Sequence, residues 1–388
     1  MSNAQTVPAT GTPVTDALPA QNYKMIDALG HQLRVYDEGP ADAPTLVMFH
    51  GAPHNSLEFR FNVPALVKAG YRVVIPEHLG AGGSDRPEDA ELYSGYHDYE
   101  RALAVVDALG IDTFYVEGGD RGSLPLWMLA ALNPERVLGL ISENVSHLNG
   151  FFIDPALDQR KRSWYMSYFQ FQAAEEALRA NDWALAREFF DWHPDMEHII
   201  ADWERPNGLN ASWLNWYHAT VHPDHAPKAE PLPDVTAPVL QLYSMNDPYI
   251  GPEQLITGRE FIKGHFTLKR IGGAGHFIAR NAPDVFNREV IAWLDARESE
   301  RRGKRHRRGK PAPLRGTSSG RPAPRSRSRS ATRRLGRVRR IRAGSAVRGS
   351  LAIRQPPTHN RANEQPIGRS RDPPDRKGAA TAPFLDDQ

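Results

Sequence analysis

Asp120 is the residue best placed to do chemistry. It stands at the centre of Gly118-Gly119-Asp120-Arg121-Gly122, directly after the apolar run 113–117 and before a stretch of helical spacing, 122–132. Small residues around one central side chain permit a sharp strand-to-helix turn that exposes it. The same composition also makes ordinary turns, so the pentapeptide alone leaves both readings open. An aspartate, with a reference pKa of about 3.9, is anionic at neutral pH and needs no base to make it a nucleophile. It suits attack on saturated carbon and would leave an ester on its own carboxyl; esterase and lipase chemistry, which needs a serine here, falls away. Asp247, after the run 238–243, and His276, in Gly273-Ala274-Gly275-His276-Phe277 after the run 266–271, supply an acid to orient a base and a base to activate water. Each also has a plain reading: Asp247 opens a turn with Asn246 and Pro248, or His276 caps a loop.

The elements that must position these residues alternate. Runs at 45–49 and 71–75 read as buried strands, 113–117, 138–142, 238–243 and 266–271 read as further strands, and 57–69, 99–109, 122–132, 252–263 and 283–296 carry helical spacing. A hairpin at 23–29 and 32–37 turns at Gly30. Such alternation predicts an α/β fold, a mostly parallel sheet with helices on both faces. Open sheets of this kind place their sites at the carboxyl ends of strands, where Asp120, Asp247 and His276 all fall. Roughly 90 residues then interrupt the pattern, far too many for a structureless loop. Residues 150–220 hold 15 of the 35 aromatic residues in helical-looking segments, which predicts an inserted helical cap that packs on itself and lines an apolar pocket.

Hydrophobic residues at 40% and charged residues at 24% of 388 describe an ordinary globular chain. Zero cysteines exclude disulfide scaffolds, thiolate metal sites and cysteine nucleophiles. No apolar run approaches the roughly 18 residues of a membrane span, so a cytoplasmic protein with no membrane contact is expected. The net charge of +2 hides an asymmetry: residues 301–388 hold 25 Lys and Arg against 5 Asp and Glu, leaving 23 against 41 before them. That tail has ten Leu, Ile, Val and Phe and no Trp or Tyr, too little apolar surface to offset the entropy of ordering. The expected organisation is a flexible leader over 1–22, a core over 23–147 and 226–297, a cap over 148–225 and a disordered Arg-rich tail over 298–388. The tail, lacking stacking aromatics, is expected to touch nucleic acid only nonspecifically through phosphates. The oligomeric state is not legible.

Over 23–297 the chain resembles the α/β-hydrolase fold superfamily. His50-Gly51-Ala52-Pro53 is similar to its oxyanion-loop motif, and P-E-H-L-G-A-G-G-S-D-R-P over 76–87 is similar to P-D-x-R-G-x-G-x-S-x-x-P, with Glu77 for Asp and Leu79 for Arg. The resemblance implies Asp120 as nucleophile, Asp247 as acid and His276 as base, in the family's chain order. It further implies an oxyanion hole from the N–H groups of Ala52 and Arg121, and a cis bond before Pro53. A carboxylate nucleophile leaves epoxide opening and carbon–halogen cleavage. S-W-Y-M-S-Y-F-Q from Ser163 and W-L-N-W-Y-H from Trp213 are similar to epoxide hydrolase segments whose tyrosines protonate the epoxide oxygen, here Tyr165 and Tyr217. A phenol, with a pKa near ~10, stays protonated at neutral pH. The resemblance places Pro53, Phe169 and Trp216 at a small-molecule epoxide, and implies no metal and no organic cofactor. Arg121 departs from it, because epoxide hydrolases carry Trp there. Asp-Arg is typical of fluoroacetate dehalogenases, whose second Arg is replaced here by Leu124. Arg121 therefore reads either as a contact for an anionic substrate or as one half of a buried ion pair. A haloalkane or haloacetate dehalogenase is the alternative within the family; a non-catalytic binding protein is the alternative outside it.

Overall fold

Runs such as Thr45–Phe49 and Val239–Ser244 are mostly apolar, and in the computed structural model every residue of both is buried, as strands covered on two faces must be. The structure describes residues 17–153, 155–190, 193–222 and 231–308, with the side chains of 304–308 excepted. The tail beyond 308 and the leader before 17 lie outside the described residues. Eight strands form one sheet: β1 (Tyr23–Ala28), β2 (His31–Glu38), β3 (Thr45–Phe49), β4 (Arg72–Pro76), β5 (Phe114–Gly119), β6 (Val137–Glu143), β7 (Val239–Ser244) and β8 (Phe266–Ile271). Their order is β1-β2-β4-β3-β5-β6-β7-β8. β2 is antiparallel to both its neighbours, and the six strands from β4 to β8 run parallel.

Alternate side chains feed two cores, one on each face. Val47, Phe49, Phe114 and Val116 pack with the helices Gly95–Ala108 and Ser123–Leu132. Leu46, Met48 and Tyr115 pack with Val63–Lys68 and the long last helix Pro283–Arg308. Each fully buried aliphatic chain contributes about 1.5–3 kcal/mol, so the two cores hold the sheet between its helical layers.

Several expected helices are shorter or displaced. The stretch 57–69 breaks into a 3-10 turn, Ser56–Phe59, and a helix, Val63–Lys68; the stretch 252–263 keeps only Gln254–Thr257 and the turn Arg259–Phe261. The last helix runs to Arg308, eleven residues past the expected boundary at 297, and Leu18 is buried inside the expected flexible leader. Between β6 and β7 the chain forms helical segments at Asn149–Ile153, Leu157–Arg162, Trp164–Tyr168, Ala173–Phe189, Met196–Trp203, Asn210–Leu214 and Asn215–Val221. The fourth of these breaks in the middle, where Asn181, Asp182 and Trp183 take positive φ.

Candidate active site

The strand β5 ends at Gly119, and Asp120 follows at φ +48°, a left-handed backbone that an ordinary residue adopts only when its surroundings enforce it. The enforcement is steric. A Cβ on Gly122 would lie 2.2 Å from the Phe49 carbonyl oxygen, and one on Gly118 3.0 Å from that same atom, so the turn presses bare backbone against β3. The carboxylate of Asp120 is thereby lifted off the sheet. Its Oδ1 accepts the N–H of Ala52 at 2.7 Å, from the loop after β3, and the Arg121 N–H adds a second backbone bond. The Ala52–Pro53 peptide is cis.

His276, after β8, brings Nε2 to 3.2 Å from Asp120 Oδ2, and its Nδ1 to 2.7 Å from Asp247 Oδ2, after β7. The free oxygen of Asp247 accepts the N–H groups of Tyr249 and Ile250 at 2.7 and 3.0 Å. Asn144, itself at φ +58°, ties these loops together: its Nδ2 donates to the His276 carbonyl and its Oδ1 accepts from Ser244 N–H, both at 2.7 Å. Nothing in the sequence around Asn144 announces that role. Burial alone would lower the pKa of His276, but the charge of Asp247 and the bond to Asp120 outweigh it and raise it well above the usual histidine range. Burial would likewise raise Asp120, but its bond to His276, the imidazolium charge and the two backbone N–H groups hold it low. The free site thus favours a protonated His276 beside an anionic Asp120.

Opposite Asp120 a narrow cavity is lined by Leu124, Val145, Phe151, Phe152, Met166, Ile250, Trp216 and the two tyrosines Tyr165 and Tyr217. The tyrosine rings stand 6.0 Å apart, edge to face. Both phenols are buried, and burial together with the charge of Asp120 pushes their pKa values well above the usual tyrosine range, so they carry protons to give. Trp216 is in the wall as expected. Phe169 and Pro53 are not: Phe169 stands one layer behind, its ring 5.8 Å from Tyr165 and 5.0 Å from Tyr217, and Pro53 is buried outside the lining.

Of the two readings of Arg121, the geometry favours the ion pair. Arg121 borders the cavity, but its guanidinium meets Asp98 with two parallel bonds, 2.8 and 3.0 Å, and the residue is 2% exposed, so its charge is already paired. Three buried glutamates behind the site went unnoticed in the sequence. Glu58 accepts the Gly51 N–H at 2.9 Å, Glu143 accepts the Ala279 N–H at 3.0 Å, and Glu117 lies on β5. Burial raises all three carboxyl pKa values, and the charge of Glu143 adds to it at Glu58 and Glu117, which favours the neutral acid. Among the described residues one trio, His54, His193 and Asp195, has ligand atoms close enough for a metal. Arg60 and Arg280 already bond both oxygens of that Asp195, so a cation there would face two guanidinium charges.

Residues 44–282 match the family model described as the alpha/beta hydrolase fold. The chain is similar to epoxide hydrolase A of Mycobacterium tuberculosis, 25% identical over 72% of this chain and 99% of that one. It is also similar to the AB hydrolase superfamily protein YfhM of Bacillus subtilis, 27% identical over 70% and 97%. Among solved structures, one described under novel epoxide hydrolases from hot-environment metagenomes aligns at TM-score 0.61 and 25% identity, covering 70% of this chain and 98% of that one. A Bacillus megaterium epoxide hydrolase bound to an inhibitor aligns at TM-score 0.63 with 21% identity, over 70% and 100%, and shows the shared fold.

Proposed function

Since the chain belongs to the alpha/beta hydrolase fold family, we propose that this hydrolase opens an uncharged, apolar epoxide to a vicinal diol. One observation carries the reading: the apex of the elbow holds a carboxylate, between the Ala52 N–H and His276, below two buried protonated phenols. With Oδ1 held by Ala52, Oδ2 attacks an epoxide carbon, the carbon–oxygen bond breaks, and Tyr165 or Tyr217 gives its proton to the departing alkoxide. The ester carbonyl then lies on the N–H groups of Ala52 and Arg121. Water loses one proton to His276 and adds to that carbonyl; the intermediate expels the second diol oxygen, which takes the proton from His276. His276 becomes the neutral base of that step by passing its own proton through solvent to the tyrosinate, and the carboxylic proton left on Asp120 afterwards restores the imidazolium, so epoxide and water become diol with no other reactant.

A second reading has one specific support. The indole N–H of Trp216 is buried in the cavity wall without an acceptor, a donor suited to a halide leaving group. Diol and halide release, measured side by side on styrene-type and aliphatic epoxides, haloalkanes and haloacetates, separates the two. Tyr165→Phe with Tyr217→Phe should slow epoxide opening by about 10²- to 10⁴-fold, the usual worth of a positioned acid, and leave halide displacement nearly unchanged. His276→Gln should stop after alkylation, and mass spectrometry should find one equivalent of substrate on the Asp120 peptide. A folded His276→Gln protein that stays unmodified would remove Asp120 from the role of nucleophile.

A further inference from the structure

We propose, building on the reading above, that His50, His78, Asp98 and Arg121 form one buried positioning network that aims both oxyanion donors, the N–H groups of Ala52 and Arg121, at Asp120. The peptide between Gly51 and Ala52 is gripped at both ends. Its N–H points to Asp120 Oδ1, and its carbonyl accepts the backbone N–H of His54 at 3.0 Å and Nδ1 of His50 at 3.0 Å. The tautomer of His50 follows from its other nitrogen: Nε2 accepts the backbone N–H of His78 at 3.1 Å, so the ring proton is on Nδ1 and donates to Gly51. His78 answers with its own Nε2–H, given to the His50 carbonyl at 3.1 Å, and sets its ring edge-on to His50 with centroids 4.5 Å apart. The Nδ1 of His78 then lies 3.7 Å from Asp98 Oδ1. Asp98, on the helix Gly95–Ala108, receives the two-bond fork of Arg121, whose own N–H is the second donor.

All four side chains are at least nine-tenths buried, so no water competes for these contacts. Burial, with His78 beside it, keeps the pKa of His50 well below the ordinary histidine value and its ring neutral. Burial would raise that of Asp98, but the charge of Arg121, with the His78 ring beside it, holds it far below the carboxylate range. The ring and the carboxylate therefore keep the protonation states that the hydrogen-bond directions require. Arg121 also donates to Leu79 O at 3.3 Å and Ser212 O at 3.4 Å, which locks its fork from three sides.

The network serves one step more than the other. In alkylation Asp120 loses charge, and donors on Oδ1 favour the starting anion; in ester hydrolysis charge gathers on that oxygen, and the donors must meet it. Loosening the network should therefore slow hydrolysis of the ester while alkylation proceeds, so kcat falls and kcat/KM holds. General structural damage lowers both.

The test uses the whole chain and an epoxide that it turns over, with Asp98→Asn, His50→Asn and the milder His78→Gln, which keeps a donor at the Nε2 position and drops the link to Asp98. Rapid-quench mass spectrometry of the Asp120 peptide should show the ester accumulating as its hydrolysis slows about 10- to 100-fold, with kcat/KM within about 3-fold of wild type. Amide exchange of Ala52 and Arg121, read by NMR without substrate, should speed up in the same variants. Variants that fold, hydrolyse the ester at the wild-type rate and keep both amides protected would overturn the network. If the wild type forms no ester with any epoxide, the epoxide reading falls, and the amide exchange still decides whether the network holds the two donors.

Discussion

Asp120 and His276 share a hydrogen bond in which each partner sets the other's protonation. A histidine whose pKa is raised is charged below that value and cannot accept a proton, so His276 in the free protein is an imidazolium, stabilised by Asp247 and Asp120 together. Esterification of Asp120 deletes one of those two negative charges. In the proposed mechanism the pKa of His276 then falls, and alkylation would itself produce the base that the next step needs. A definite pH pattern follows. Because the pKa of Asp120 is held low, alkylation should stay level from about pH 5 to 9, whereas ester hydrolysis should weaken toward the acid side as His276 keeps its proton. Wild-type protein quenched at about pH 5 should carry ester on the Asp120 peptide and at about pH 8 should not. Alkylation and hydrolysis falling together with pH would contradict this. The residues of this row were legible in the sequence because each follows an apolar run and stands among turn residues. Asn144 and the three buried glutamates were not, because their partners lie on other elements, mostly loops and a helix, and leave no local period.

At the scale of elements, the sharpest turn depends on absent atoms. Gly122→Ala would force a Cβ to 2.2 Å from backbone in the central strand β3, which cannot rotate away, so a loss of about 3 kcal/mol is expected in urea denaturation. Gly272→Ala, where nothing lies within 4 Å, should shift stability by less than about 0.5 kcal/mol. Strand positions show plainly in the sequence: 45–49 and 266–271 coincide with β3 and β8, and the others fall within a residue or two, since short runs bounded by turn residues mark them even in the edge strand β8, where only Ile271 is buried. Helices were read less well. Gln254–Thr257 and Val63–Lys68 are fragments of longer periodic stretches, because tertiary packing and turns at Gly258 and Asn62 override spacing. The broken helix Ala173–Phe189 shows the same effect: its helical composition is interrupted by three consecutive left-handed residues.

For the whole molecule, the useful boundary lies beyond the expected 297. Tyr115 of β5, fully buried, donates its hydroxyl to Glu298 at 2.8 Å, so the last helix is fastened to the central sheet past that point. A protein ending at Pro313 should keep wild-type melting temperature and kcat. One ending at Arg297 strands that hydroxyl and should lose about 1–3 kcal/mol, read as a lower melting temperature. Composition identified the basic tail but not this boundary, since Glu298 and Arg301 are charged residues that only a distant tyrosine brings inside. The cavity above Asp120 also governs traffic through the molecule. Its walls are mainly aliphatic and aromatic, with Asp120, Arg121, Ser123 and the two tyrosines as their polar members. An epoxide gains about 0.8 kcal/mol for each CH₂ it moves from water into such walls. The diol made from it carries two hydroxyls that find few partners there, and an unpaired hydroxyl costs roughly 1–3 kcal/mol to keep out of water. On the proposed reading, substrate and product thus partition in opposite directions across one wall, and the chemistry itself would favour release of what it makes.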